Sequence, residues 1–126
     1  METVKNRILC IEDNADNQIL LKFYLKKEPY NITFADDGPQ AMEMIKNERF
    51  DLFLVDMNLP NGMSGYEVTK HIRQNDNHKD KPVLIITAFS RSELDEPDPS
   101  LRIDQFITKP IRKKEFIEIM NSFLKS

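Results

Sequence analysis

The sequence predicts a single α/β domain built on a parallel sheet with helices on both faces. Three observations carry this. Short apolar runs alternate along the chain with longer amphipathic ones, as repeating strand–helix units require. The strand-like runs are continuously rich in Val, Ile and Leu, so both of their faces are expected to be buried. A chain of 126 residues fits one domain and can bury roughly two thirds of its unfolded surface.

The elements follow in order. RILCI (7–11) is too short for a helix and runs into Glu12-Asp13-Asn14, so it reads as a buried first strand. Residues 15–27 follow as a helix, with Asp13 or Asn14 as N-cap and Leu21 and Leu25 on one face. NITFA (31–35) is the second strand. Asp37-Gly38-Pro39 opens the second helix, with Pro39 near its first position and Ala41, Met42 and Ile45 inward. LFLVD (52–56) is the third strand. Gly62 and Gly65 are expected to loosen the loop after it, ahead of a helix over 66–74 with Val68 and Ile72 on one stripe. PVLIIT (82–87) and QFIT (105–108) complete five strands. The last helix covers 112–124, with Phe116, Met120 and Phe123 inward. Between strands four and five, Pro97 and Pro99 interrupt SRSELDEPDPSLRID. Each costs a helix about 3 kcal/mol by removing a hydrogen bond and crowding the preceding turn. A short or broken fourth helix is expected, one turn around 92–96 and then loop.

Composition excludes several functions. The chain carries 18 basic and 21 acidic residues, a net charge of −3, with the signs mixed along its length. That argues against direct nucleic-acid binding, which calls for a basic face. No apolar run is long enough to span a membrane, and METVKNRILCIED lacks the shape of a signal peptide. The one cysteine, Cys10, excludes an internal disulfide and a cysteine-based zinc cage, and points to a reduced, cytoplasmic setting. Cys10 reads as a small core hydrophobe. His71 reads as a helix-surface residue and His78 as part of a polar loop; neither is set against a nucleophile or a metal cluster.

The chemistry collects at strand ends, where ligands bind in an open parallel sheet. Strand one ends in Glu12-Asp13, strand three in Asp56, strand four in Thr87-Ala88 and strand five in Lys109-Pro110. Clustered carboxylates resist ionising together, and a hard divalent cation such as magnesium removes that conflict. Acids, a hydroxyl and an ammonium on one rim suggest a phosphoryl site. One carboxylate could itself be the nucleophile, and Asp56, on a central strand, is the candidate. Singly, each residue has a plainer reading. Asp13 or Asn14 caps a helix, Thr87 is a buried strand residue, Lys109 is a loop charge and Asp56 makes a turn. The joint pattern, one piece after each of four strands, favours the site.

RILCIEDN, DLFLVDMNLP, SGYEV, PVLIITA and DQFITKPI together resemble the receiver domain of two-component response regulators, over essentially all of residues 1–126. The resemblance implies a flavodoxin-like sheet of order 2-1-3-4-5. It implies that Asp56 takes a phosphoryl group from the phosphohistidine of a histidine kinase or phosphotransfer protein, or from a small acyl phosphate. Glu12, Asp13, the Asp56 carboxylate and the Asn58 backbone carbonyl would hold Mg2+. Thr87 and Lys109 would bind phosphoryl oxygens, and Ala88 would leave access to Asp56. Phe106 would turn inward as Thr87 moves, and Asn58 and Phe89 would tune the acyl-phosphate lifetime. Lys109–Pro110 would be cis, the isomer that is cheap only before proline. Catalysis would be limited to self-phosphorylation and autodephosphorylation in a monomer or weak dimer that acts on a downstream protein.

The sequence departs from the family pattern in three places. The NGMSG loop has one residue more than in many members and lacks an Asp before its glycine. Position 12 is Glu where Asp is common. Pro97 and Pro99 break a helix that often helps read out phosphorylation, so residues 91–103 are expected to be mobile and readout to use an unusual surface. Two other functions compete. A magnesium-dependent phosphohydrolase with an aspartyl nucleophile would carry a second acid two residues on, where this chain has Asn58. A non-phosphorylated interaction module would need none of Glu12, Asp13, Asp56, Thr87 and Lys109. No output domain follows Ser126, which suggests a stand-alone receiver or a piece of a larger regulator or hybrid kinase.

Overall fold

β1 (Asn6–Ile11), β2 (Tyr30–Ala35), β3 (Leu52–Asp56), β4 (Val83–Thr87) and β5 (Gln105–Thr108) pair in parallel in the order β2-β1-β3-β4-β5. The structure is a computed structural model that describes residues 5–60, 62–88 and 96–124. Every residue of β3 and β4 is buried, as their unbroken apolar runs dictate. α1 (Ala15–Tyr24) and α4 (Lys113–Phe123) cover one face, where Leu21, Leu25, Phe116 and Met120 meet Ile8, Cys10, Leu54 and Ile86. α2 (Gly38–Asn47) and α3 (Gly65–Gln74) cover the other, where Ala41, Ile45, Val68 and Ile72 meet Leu9, Ile11, Val55 and Ile85. Neighbouring strand residues therefore feed opposite cores.

The helices start where side chains satisfy their free amides. Asn14, of the two candidates, caps α1 by accepting the Asn17 N–H at 3.0 Å. Asp37 accepts from Gln40 at the head of α2, with Pro39 in the first turn. Ser64 and Glu67 form a reciprocal capping box on α3. α1 is three residues shorter than its apolar spacing predicts. Leu25, though buried, lies past the helix, and the Lys26 N–H reaches back only to the Phe23 carbonyl ahead of Glu28-Pro29.

The stretch between β4 and β5 is described only in part. Residues 91–95, most of the single turn expected at 92–96, lie outside the described residues. Beyond them Pro99–Leu101 forms a 3-10 turn capped by Asp98. In the described part of 91–103, Leu101 and Arg102 are hydrogen-bonded to α3. Arg73 donates to the carbonyls of Leu101 (2.7 Å) and Arg102 (2.7 Å) and to those of Lys79 (2.9 Å) and Lys81 (2.6 Å). It also reaches Asp104 at 3.4 Å.

His78 is a correction to the sequence reading. It stands in a polar stretch, yet its side chain is fully buried against Phe50 and Phe53. Its Nε2 accepts the Phe50 N–H at 3.1 Å, and its Nδ1 lies 3.0 Å from Asn75 Oδ1. Neutral imidazole can accept at one nitrogen and donate at the other, so a polar residue is satisfied in the core.

Candidate functional site

The sheet order sets β1, β3, β4 and β5 side by side, so their carboxyl ends form one rim. Glu12 follows β1 directly, and its N–H donates to the Ala35 carbonyl at 3.0 Å, which holds it at the level of the strand ends. Asp56 is the last residue of β3. The next amide, Met57, donates to the Ile86 carbonyl at 2.8 Å and so carries the β3–β4 pairing one residue past Asp56. Lys109 follows β5, and its N–H donates to the Thr87 carbonyl at 2.7 Å. The Lys109–Pro110 peptide is cis.

These placements bring charges together. Lys109 Nζ stands 2.9 Å from Asp56 Oδ2 and 3.4 Å from Glu12 Oε1. Asp56 and Glu12 are both buried, Glu12 almost completely. Buried carboxylates need partners, and each has them. Asp56 Oδ1 accepts the Asn58 N–H at 3.0 Å. Glu12 accepts the Asn14 N–H at 3.1 Å and the Asn17 side-chain amide at 3.3 Å. Burial still raises the Glu12 carboxyl above its ordinary range; the Asn14 amide opposes this and the Asp56 charge adds to it. Burial works against the Lys109 ammonium, but its hydrogen bond to Asp56 and the charges of Asp56 and Glu12 prevail, so its pKa is raised.

Asp13 is exposed beside this pair. One carboxylate oxygen each from Glu12, Asp13 and Asp56 lie within 4.8 Å of one another. Three hard oxygen donors open to solvent on one side suit magnesium, which binds through a few carboxylates and keeps several waters. Thr87 is buried at the end of β4, and Ala88 next to it is exposed. Asn58 is exposed and pairs its backbone with Ser64. Phe106 is half-buried in β5 and packs edge-on against Tyr66, with ring centroids 6.5 Å apart. Phe89 lies outside the described residues.

The response regulator receiver domain family model matches residues 8–121. The chain belongs to this family. Receivers are the phosphoryl-accepting switches of two-component signalling, which makes this chain a signalling domain and not a metabolic enzyme. It is 32% identical to the polar-differentiation response regulator DivK of Brucella anthropi, over 93% of this chain and 94% of DivK. It is also 32% identical to the autoinducer 2 sensor kinase/phosphatase LuxQ of Vibrio parahaemolyticus, over 94% of this chain but only 14% of LuxQ. The chain thus spans nearly all of one relative and a small part of the other. Among solved structures, the response regulator TrrA of Thermotoga maritima in complex with Mg2+-BeF superposes with a TM-score of 0.79. The two are 32% identical, and the match covers 94% of this receiver and 99% of TrrA.

The geometry also assigns places that the sequence did not disclose. Gly65 does not loosen its loop. It is the buried first residue of α3, where a Cβ would stand 2.9 Å from the Asp56 carbonyl oxygen and 3.0 Å from Met57 Cα. Its N–H donates to the Met57 carbonyl at 2.9 Å. The helix therefore lies directly against the backbone that carries Asp56, and only glycine fits there. Gln18 is a second case: its side-chain amide bridges the Glu12 carbonyl (2.6 Å) and Asp36 (2.8 Å), tying α1 to two strand ends. An amide side chain one turn past a helix cap was the available signal.

Proposed function

We propose that Asp56 is the phosphoryl acceptor of this receiver, supplied by the phosphohistidine of a histidine kinase or phosphotransfer protein, or by a small acyl phosphate. One observation carries the reading. Asp56 is a buried carboxylate held between the Lys109 ammonium at 2.9 Å and the Asn58 amide at 3.0 Å, with Glu12 and Asp13 within ligating reach. An Asp56 oxygen forms the new bond to phosphorus as the donor's P–N bond breaks and the electron pair leaves on the imidazole nitrogen; with an acyl phosphate the P–O bond breaks and the pair leaves on the carboxylate oxygen. Glu12, Asp13, Asp56 and the Asn58 carbonyl are the residues to hold Mg2+, which when bound neutralises charge on the transferring oxygens. Lys109 pairs with a further phosphoryl oxygen, and the Thr87 hydroxyl donates to another. Ala88 leaves the approach open. Thr87 and Phe106 pass the change to the β4–β5 side, and autodephosphorylation at Asp56, tuned by Asn58 and Phe89, resets the switch.

A protein donor suits the surroundings. α1 exposes Ile19, Leu20 and Phe23, and Leu20 lines a cleft of about 330 Å3 that also touches Glu12, Lys109 and Pro110. No helix among the described residues is long and apolar enough to cross a membrane; a kinase or phosphotransfer donor of this kind would meet the receiver in the cytoplasm. Labelling with acetyl phosphate and Mg2+ tests the assignment. The wild type is expected to take up one phosphoryl group and Asp56→Asn none. Undiminished labelling of the variant would move the acceptor elsewhere.

A further inference from the structure

Gly38 touches neither Asp56 nor the acidic cluster, yet the packing links it to both. It is the buried first residue of α2. A Cβ there would stand 2.5 Å from Met63 Sδ, 3.0 Å from its Cβ and 3.2 Å from its Cγ. Met63 is thus seated over a notch that exists because residue 38 has no side chain. A methyl at 38 would turn the thioether out of this seat, and the 3.0 Å contact to Met63 Cβ would press residue 63 itself by a few tenths of an ångström.

The backbone at 63 leads straight back to the site. Met63 follows Gly62, whose φ of +77° turns the chain toward α2. It precedes Ser64, which pairs with Asn58 across the loop and caps α3. The Asn58 N–H then holds Asp56 Oδ1 at 3.0 Å. The near end of the loop is fixed by Gly65 against Met57. Among the described residues of the loop, Met63 is the one seated against α2 at Gly38.

We propose that Gly38 is a positioning residue for phosphoryl transfer: by seating Met63 it fixes the 57–64 loop and thereby the Asn58 amide and carbonyl at Asp56. This rests on the reading of Asp56 as acceptor. Removing the seat from either side is expected to misplace Asn58 and slow transfer, since small displacements of positioning groups cost up to about a hundredfold.

The test compares wild type, Gly38→Ala, Met63→Ala and the double variant. The readouts are the initial rate of acetyl-phosphate labelling, the 19F signal of bound beryllofluoride with Mg2+, and urea midpoints. Gly38→Ala is expected to label about tenfold more slowly and to shift the fluoride signal. With Met63 truncated the Sδ and Cγ clashes are gone and only the 3.0 Å contact to its Cβ remains, so the double variant is expected to lie close to Met63→Ala alone, a non-additivity that a general loss of stability would not produce. Gly38→Ala labelling within about twofold of wild type, or additive losses in the double variant, overturns the proposal. If Gly38→Ala fails to fold, Met63→Ala decides: unchanged labelling and an unshifted fluoride signal overturn it. A wild type that neither labels nor binds beryllofluoride overturns the acceptor reading and this inference together. A normal wild type with an indifferent Gly38→Ala overturns this inference alone.

Discussion

Asp56 and His78 are buried polar residues at opposite ends of β3, and each is tolerated for a different reason. Asp56 has an ammonium and an amide as partners. His78 is tolerated because it is neutral, with Nε2 as acceptor for Phe50. Protonation would place a hydrogen on Nε2 facing the Phe50 N–H. Burial lowers the His78 pKa below its usual 6.5, and the nearby charges of Lys81 and Arg49 lower it further against the weaker pull of Asp51. The unfolded chain therefore binds the proton more readily than the folded one. The stability that neutral His78 contributes is complete above the unfolded-state pKa and declines as pH falls below about 6.5 toward the lower folded value. The urea midpoint is expected to drop between pH 7.5 and 5, and His78→Gln, which keeps an acceptor but does not titrate, is expected to flatten that part of the profile. Equal slopes for both chains would count against this role.

At the scale of elements, Arg73 acts as a clamp between segments. One guanidinium ties α3 to the start of β4 and to the 3-10 turn before β5. Replacing it with Met leaves four carbonyls without this donor. The loss is expected to be about 2–4 kcal/mol, since bonds from charged donors contribute about 1.5–3 kcal/mol each and do not add. Hydrogen exchange is the sharper measurement: Arg73→Met should speed exchange at Leu101, Arg102 and Asp104 while β1 and β3 stay protected. Uniform acceleration would mean that Arg73 supports the whole fold and not this segment. The sequence disclosed the strands, because Leu52–Asp56 and Val83–Thr87 are apolar runs bounded by turns, and it disclosed the capping residues Asn14 and Asp37. It did not disclose the Arg73 clamp, since five acceptors spread over residues 79–104 carry no local pattern. Nor did it show that Gly65 meets the Asp56 backbone, because a glycine in a loop-like stretch reads as freedom until its neighbour in space is known. His78 was obscured by Asp76, Asn77 and Lys79, whose polarity masks one buried ring.

For the whole molecule, the parallel order β2-β1-β3-β4-β5 puts the proposed acceptor at the end of the central strand and two candidate metal ligands after its neighbour β1, with Thr87 and Phe106 toward the β5 edge. The candidate site was legible because its members stand at consecutive strand ends, a rule of topology that needs no side-chain detail. The same centrality makes Cys10 useful. It is the one thiol of the chain, fully buried in β1, and its pKa is pushed well up by burial and by the carboxylates of Glu12 and Asp56. A thiolate forms there only when the sheet parts. Alkylation of Cys10 by iodoacetamide therefore times the opening of the central sheet, with no engineered probe. In the native protein it is expected to run at least about three orders of magnitude slower than in urea. Mg2+ with beryllofluoride should slow it further in the wild type and leave Asp56→Asn unchanged, so occupancy of the rim would be read as the waiting time of a sulfur atom beneath it.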